Sequence, residues 1–283
     1  MLQGEKLVNL FSEEFIMIGA MIGDIVGSRF EFYNHKSKDF NFFDKRCFFT
    51  DDTVMTLAVA KTLLKFDAVT DIKEFKKELV AVMHEVGIKY PNCGYGGHFG
   101  VWIRENYTEP YNSYGNGSAM RVSPVAWYAN SLDECEALAA TTAEVTHSHP
   151  EGIKGAVAVA VAGAIYLART RHSMAEIQDY INSFYKIDFT LDEIRDTYGF
   201  YETCQESVPQ ALEAFFESVS FEDAIRNAIS IGGDSDTIAA ITGSIAEAYY
   251  GIEDEMRTTA FSYLDSYLLE IAESFYVKFI RSK

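Results

Sequence analysis

Two clusters of carboxylates, one towards each end of the chain, constrain its fold more than any other feature. Residues 49–53 read FTDDT and residues 232–237 read GGDSDT. Each is followed at once by an apolar run at helical spacing, TVMTLAVAKTLLKF over 53–66 and IAAITGSIAEAYY over 238–250. An apolar helix has to be buried, and its first turn carries these ionisable side chains inward with it. One explanation is capping: Asp and Thr accept the free N–H groups at a helix start, and negative charge suits that end of the dipole. One acidic residue meets that need, whereas two side by side repel each other, and the arrangement occurs twice. The other explanation is a hard-cation site, since carboxylates plus a hydroxyl suit Mg²⁺ or Mn²⁺. No His or Cys stands beside either cluster to favour zinc. Spacing alone leaves both explanations open.

A third acidic pair lies near the N-terminus. The sequence predicts a helix over 15–31, with Gly19, Gly23 and Gly27 at steps of four forming a bare stripe for close approach by another helix or a ligand. On that helix Asp24 and Glu31 share one face, two turns apart. The alternative is that the helix frays before Glu31 and leaves the side chain solvated. Further helices are predicted over 53–66, 72–86, 133–143, 153–168, 174–184, 190–201, 207–217, 221–231, 237–249 and 254–279. Strand patterns are weak, confined to FEFY and FNFF between 30 and 43. The turn-rich stretch 87–118 reads as a long ordered loop, a kind that is usually functional in a compact domain. No linker, low-complexity tract or repeat divides the chain. The expected fold is all-α, a compact multi-helix bundle forming a single domain over 1–283.

Charge narrows the partners. The 283 residues carry a formal charge of −18. Nucleic-acid backbones and anionic membrane surfaces select basic proteins, so neither is expected as a partner. A phosphorylated small molecule remains accessible through cations and backbone N–H groups. The four cysteines have no CxxC spacing and read as reduced thiols of a cytoplasmic protein. The run FIMIGAMIG follows Glu13 and Glu14, where a signal peptide wants basic residues. The most apolar stretch, GAVAVAVAGAIYLA over 155–168, is shorter than the ~20 residues needed to cross a bilayer and reads as a buried central helix.

Two more segments carry chemistry. YGNGSAMRVSP over 114–124 supplies backbone N–H groups in a turn, which is one way to cradle phosphate and also an ordinary turn signal. THSHPEGIKGA over 146–156 puts His147 and His149 just before a helix. Their i, i+2 spacing does not share a helix face, so they are not read as a zinc pair.

Taken in order, the segments GAMIGDIVGSRFE (19–31), FTDDTVMT (49–56), YGNGSAMRVSP, THSHPEGIKGA, ESVPQALEAF (206–215) and IGGDSDTIAAITGSIAEAYYG (231–251) resemble the ADP-ribosylglycohydrolase family. The resemblance covers about 15–251 and leaves the first 14 residues without a counterpart. It implies an all-α domain around two Mg²⁺ or Mn²⁺ ions. Thr50, Asp51, Asp52, Asp234, Asp236 and Thr237 are the implied ligands. Glu31, and in its place Asp51, is the implied acid or base. Asn116, Gly117, Ser118 and Met120 match the loop around the phosphates and distal ribose, and His147 a histidine near that ribose. Tyr95, Gly96 and Phe99 fall in a variable loop and are implied pocket residues. The implied activity is hydrolysis of the C1″ bond of an ADP-ribosyl group, with ADP-ribose or an ADP-ribosylated protein or small molecule as partner. The alternative is an inactive ADP-ribose-binding or structural relative of the same fold.

Overall fold

The glycine stripe of the N-terminal helix settles into the backbone of the helix that follows GGDSDT. The computed structural model describes residues 17–153 and 158–281, and every regular element among them is helical. The helices of eight residues or more are α1 Gly19–Gly27, α2 Asp51–Leu63, α3 Ile72–Lys89, α4 Gly97–Arg104, α5 Leu132–Glu144, α6 Ala158–Arg169, α7 Met174–Asn182, α8 Cys204–Phe216, α9 Phe221–Ser230, α10 Ser235–Tyr250, α11 Asp254–Phe261 and α12 Ser266–Tyr276. A Cβ on Gly23 would lie 2.0 Å from the Ala239 carbonyl oxygen, and one on Gly19 2.3 Å from that of Gly243. Only hydrogen fits there, and the close approach sets Asp24 of α1 beside the start of α10. The contact is capped by Glu247 of α10, which accepts from the N–H groups of Ile18 (3.1 Å) and Gly19 (2.8 Å) at the N-terminus of α1.

Gly23→Ala is expected to force these helices apart and to cost about 3 kcal/mol, the upper end for overpacking. That corresponds to a fall in Tm of roughly 5–10 °C for a chain of this size. An unchanged melting curve would mean that the two backbones do not touch.

The buried apolar side chains form one cluster from Met17 to Phe279. Many helix starts follow capping chemistry: Asp71, Ser131, Ser173, Thr190, Ser220 and Asp265 each accept a backbone N–H of the first turn. In α6, the apolar run of 155–168, Val161, Ala162, Ala164 and Ile165 are fully buried. The part of that predicted helix at 154–157 lies outside the described residues, as do the first 16 residues. No described helix is long and apolar enough to cross a membrane.

Four expectations need correction. The helix predicted over 15–31 stops at Gly27, because the Ser28 hydroxyl bonds back to the Ile25 carbonyl (2.9 Å) and the chain then runs through turns to Asn34 at φ +46°. Over 190–201 only Leu191–Ile194 is helical. Tyr198 is drawn into tertiary contact instead, with its hydroxyl on the Glu206 carbonyl (2.6 Å) and its own carbonyl on Lys36 (2.7 Å). The helix predicted over 254–279 breaks at Ser262, and Asp265 caps a new one. The loop over 87–118 is shorter than expected, since α3 runs on to Lys89 and α4 sits inside it. FEFY and FNFF form no strand. Phe30 and Phe40 instead pack together at 5.0 Å between ring centroids, with the Arg29 guanidinium 4.4 Å from the Phe30 ring.

Candidate active site

Asp24 organises the first acidic cluster. Fully buried on α1, it accepts from the Thr50 N–H (2.9 Å), the Thr50 hydroxyl (2.7 Å), the Thr53 N–H (3.1 Å) and the Thr53 hydroxyl. These bonds anchor the start of α2 against α1. Thr50 is the cap there, accepting from the Asp52 N–H at 3.4 Å, so the side chains of Asp51 and Asp52 do not serve that purpose.

The second cluster departs from capping in the same way. Asp234 stands at the N-cap of α10 but takes no backbone N–H of that helix. Its carboxylate accepts from the Asn116 amide at 2.7 Å. Gly232 and Gly233 precede it at φ +69° and +75°, a region glycine enters without strain. A Cβ on Gly233 would also lie 2.6 Å from the Gly199 carbonyl oxygen. That turn is pinned by Asn34, whose side-chain oxygen accepts from the Gly233 N–H at 3.2 Å. The Asn34 turn and the GGDSDT turn are thus one assembly, and Glu31 is carried on it.

The two ends of the chain meet here. Carboxylate oxygens of Asp24, Asp52 and Asp236 lie within 4.8 Å of one another, and so do those of Glu31, Asp234 and Asp236. Asp236 belongs to both trios. The Thr237 hydroxyl donates to Asp52 at 3.2 Å across the junction of α2 and α10. One oxygen of Asp52 and one of Asp236 are buried without a hydrogen-bond partner among the described residues. Left alone, a buried anion so placed is costly. The donor set is entirely oxygen, so the residues fit hard divalent cations.

Burial, reinforced by the charge of Asp236, raises Asp51 and Asp52 well above the usual carboxylate range. Burial and then Asp234 do the same to Asp236. Asp24 rises to about 6 through burial, its four hydrogen bonds opposing the shift. Burial takes Asp234 to about 7 against its bond from Asn116, and Glu31 to about 8 with the help of Asp236. Each of these groups binds its proton more tightly folded than unfolded. The stability they contribute is therefore fully present below about pH 4 and is lost as pH rises through about 6 to 8. The Tm of cation-stripped protein is expected to fall between pH 5 and pH 8.5. A flat or rising Tm over that window would contradict the clustering.

All members of the two trios but Asp24 line one cleft. Of the residues singled out from sequence, Glu31, Asp51, Asp52, Gly96, Phe99, Asn116, Gly117, Met120, His147, Asp234, Asp236 and Thr237 line it. Three do not. Thr50 sits behind the acids, bonded to Asp24. Ser118 is fully buried and donates to the Gly152 carbonyl (3.2 Å). Tyr95 turns to the other side of its loop, its hydroxyl 3.4 Å from the Gly87 carbonyl and its ring edge-on to Phe99. Glu31 reaches the acids through the Asn34 turn and is half-buried, so the helical face it was expected to share with Asp24 does not exist.

Sequence reasoning missed Arg121, Tyr111, Ser113 and Glu202, all of which line the cleft, and the role of Asp24 behind it. Arg121 and Asp24 stood inside segments already singled out. Glu202 lies just after the helix predicted over 190–201. It is held beside Asn116 because its carbonyl accepts the Asn116 N–H at 2.9 Å, next to a bridge between Gly115 and Thr203.

The chain resembles known proteins over most of its length. Residues 16–280 match the family model described as ADP-ribosylglycohydrolase. The chain is 26% identical to ADP-ribosylhydrolase ARH3 of Homo sapiens, over 84% of this chain and 85% of the relative. It is 28% identical to ADP-ribosylarginine hydrolase Tri1 of Pseudomonas putida, over 83% of this chain and 70% of the relative. A solved structure titled ADP-ribosylglycohydrolase-related protein complex superposes with a TM-score of 0.65 at 21% identity, covering 92% of this chain and 95% of that one, which speaks for the fold.

Proposed function

This chain belongs to the ADP-ribosylglycohydrolase family, and on that premise we propose that it hydrolyses the C1″ glycosidic bond joining ADP-ribose to an acceptor. The observation that carries the reading is the pair of carboxylate trios sharing Asp236 at one cleft. Asp51 and Asp52 at the start of α2, with Asp234, Asp236 and Thr237 at the start of α10, would hold two Mg²⁺ or Mn²⁺ ions, and Thr50 would join them on exchanging its bond to Asp24 for a cation. When bound, such ions supply Lewis-acid stabilisation of charge on the ribose oxygens and make a water more acidic. Asp24 orients the α2 ligands without facing the cleft. Asn116 steadies Asp234, and with Gly117, Met120 and His147 it would flank the phosphates and distal ribose.

In the net reaction, water oxygen becomes the C1″ hydroxyl. The acceptor leaves with the bonding electron pair and takes up a proton. Glu31 is suited to move that proton, because it lines the cleft beside Asp234 and Asp236; without cations, burial and then the charge of Asp236 raise its carboxyl to about 8. The lining of the cleft supports a cationic acceptor. Glu31 and Glu202 both line it, and Phe32 and Phe200, exposed and stacked at 6.1 Å, follow and precede them in the chain. A planar guanidinium is attracted by carboxylates and by aromatic faces alike, which supports arginine over serine.

The test is ADP-ribose release from ADP-ribosyl-arginine peptide, ADP-ribosyl-serine peptide and ADP-ribose-1″-phosphate, in EDTA and in Mg²⁺ or Mn²⁺. Release from the arginine peptide, restored by cation, is expected. Full turnover by chelated protein would overturn the metal assignment. No turnover of any substrate with cation present would favour the inactive relative. Cation should also raise Tm, since a ligand of the native state at a hundredfold excess over its Kd stabilises by about 2.7 kcal/mol.

A further inference from the structure

We infer that Arg121 is a positioning residue: acting through Thr146, it holds His147 in the single neutral tautomer that presents Nε2–H to the cleft. Arg121 is 1% exposed and has no acidic group within ion-pair distance among the described residues. Its Nη2 donates to the Thr146 hydroxyl oxygen at 2.7 Å and to the Thr142 carbonyl at 3.3 Å. A guanidinium only donates, so the Thr146 oxygen is the acceptor in the first of these bonds. Thr146 is fully buried, and its own proton needs an acceptor. The acceptor within reach is His147 Nδ1, 2.7 Å away. The Thr142 carbonyl accepts from Arg121, and the Thr146 hydroxyl makes no bond to a carbonyl among the described residues. The hydroxyl proton therefore points at Nδ1, which must be bare, and a neutral imidazole with a bare Nδ1 carries its proton on Nε2.

Nε2 faces the loop where Asn116 and Gly117 stand. A Cβ built on Gly117 would be 3.4 Å from it, and one on Gly115 3.8 Å. Those two glycines leave room for a ligand oxygen in front of the ring, and His147 and Arg121 both line the cleft. Burial and the charge of Arg121 push the imidazole well below its usual range, in keeping with a neutral ring. Arg121 thus does two things to His147: it turns the threonine hydroxyl into a donor, and it discourages a second proton. The outcome is an uncharged donor matched to an acceptor oxygen on phosphate or ribose. Only the identity of that ligand rests on the function proposed above.

Removing Arg121 frees both the Thr146 lone pair and the Thr142 carbonyl. The hydroxyl is then no longer obliged to donate to the ring and can accept from Nδ1–H, so the tautomer should switch. The test is nitrogen NMR of histidine-labelled protein without ligand, with calorimetric titration of ADP-ribose in Mg²⁺. Wild type is expected to show His147 as the Nε2–H form throughout pH 5.5–8. In Arg121→Met, and in Thr146→Val, the Nδ1–H form or a titration inside that range should appear. ADP-ribose should bind about five- to tenfold more weakly, the effect of losing one hydrogen bond. Thr146→Ser, which keeps the hydroxyl, should stay within about twofold of wild type. Nδ1–H in wild type, a charged His147 at pH 7, or unchanged tautomer in folded variants would each overturn the inference. The wild-type spectrum decides even if a variant does not fold. If the spectra behave as stated but ADP-ribose fails to bind wild type, the proposed function is what has failed.

Discussion

Asp236→Asn is expected to remove turnover, by roughly 10³-fold or more on the scale of losing a principal electrostatic group at a reacting centre, while keeping the helical fold. Asp236 is the one residue shared by both carboxylate trios, and one of its oxygens has no hydrogen-bond partner among the described residues. The amide preserves volume and deletes a charge, so the change falls on cation binding. Stability without cation should move the other way. Burial and the charge of Asp234 both oppose ionisation of Asp236, so a neutral side chain there relieves more repulsion than the modest helix-dipole interaction lost at the start of α10, about 0.3–1 kcal/mol. At pH 8 the chelated variant should melt at or above the wild-type temperature, and isothermal titration should register much weaker Mg²⁺ and Mn²⁺ binding. Collapse of the helical circular dichroism signal would instead mean that Asp236 is structural.

The distinction between a cap and a site shows where sequence reading stops. FTDDT and GGDSDT lie at helix starts, and spacing could not say whether their acids serve the backbone. The structure separates the two uses at atomic level: Thr50 takes the cap of α2, and Asp234 turns from its own helix to Asn116. The helices were legible because apolar periodicity and caps such as Ser131 and Ser220 are local properties. The breaks at 28–34, 195–201 and 262–265 were not. Each depends on a partner distant in sequence or on a side chain bonding back to the main chain, as when Lys36 holds the Tyr198 carbonyl. The glycine stripe announced a close approach but not its partner, since nothing local to Gly23 names Ala239. Tyr95 was misjudged for a related reason. Which face of a loop side chain meets a cleft is decided by packing, here against Phe99 and the Gly87 carbonyl.

Glu31 gathers these threads, because it reaches the acids by a turn and not by a helix face. Glu31→Gln keeps the size of the side chain and its place on the Asn34 turn but cannot exchange a proton near neutral pH. Turnover is expected to fall by ~10²–10⁴, the range for a lost general acid or base, while ADP-ribose binds within about tenfold of wild type. Calorimetry and single-turnover kinetics on the same preparation separate the two quantities. A signature independent of catalysis accompanies them. In cation-free wild type the Glu31 carboxyl binds its proton more tightly in the native state, up to about 8, and its ionisation at higher pH weakens the fold. The Gln variant has nothing to ionise, so its Tm should fall less steeply between pH 6 and pH 8.5. A parallel loss of cation binding and turnover would make Glu31 a ligand of the second trio, beside Asp234 and Asp236, and would pass the proton transfer to Asp51. If turnover, affinity and the pH dependence of Tm all matched wild type, Glu31 would be an ordinary solvated residue of the turn, and the second trio would lose its third member.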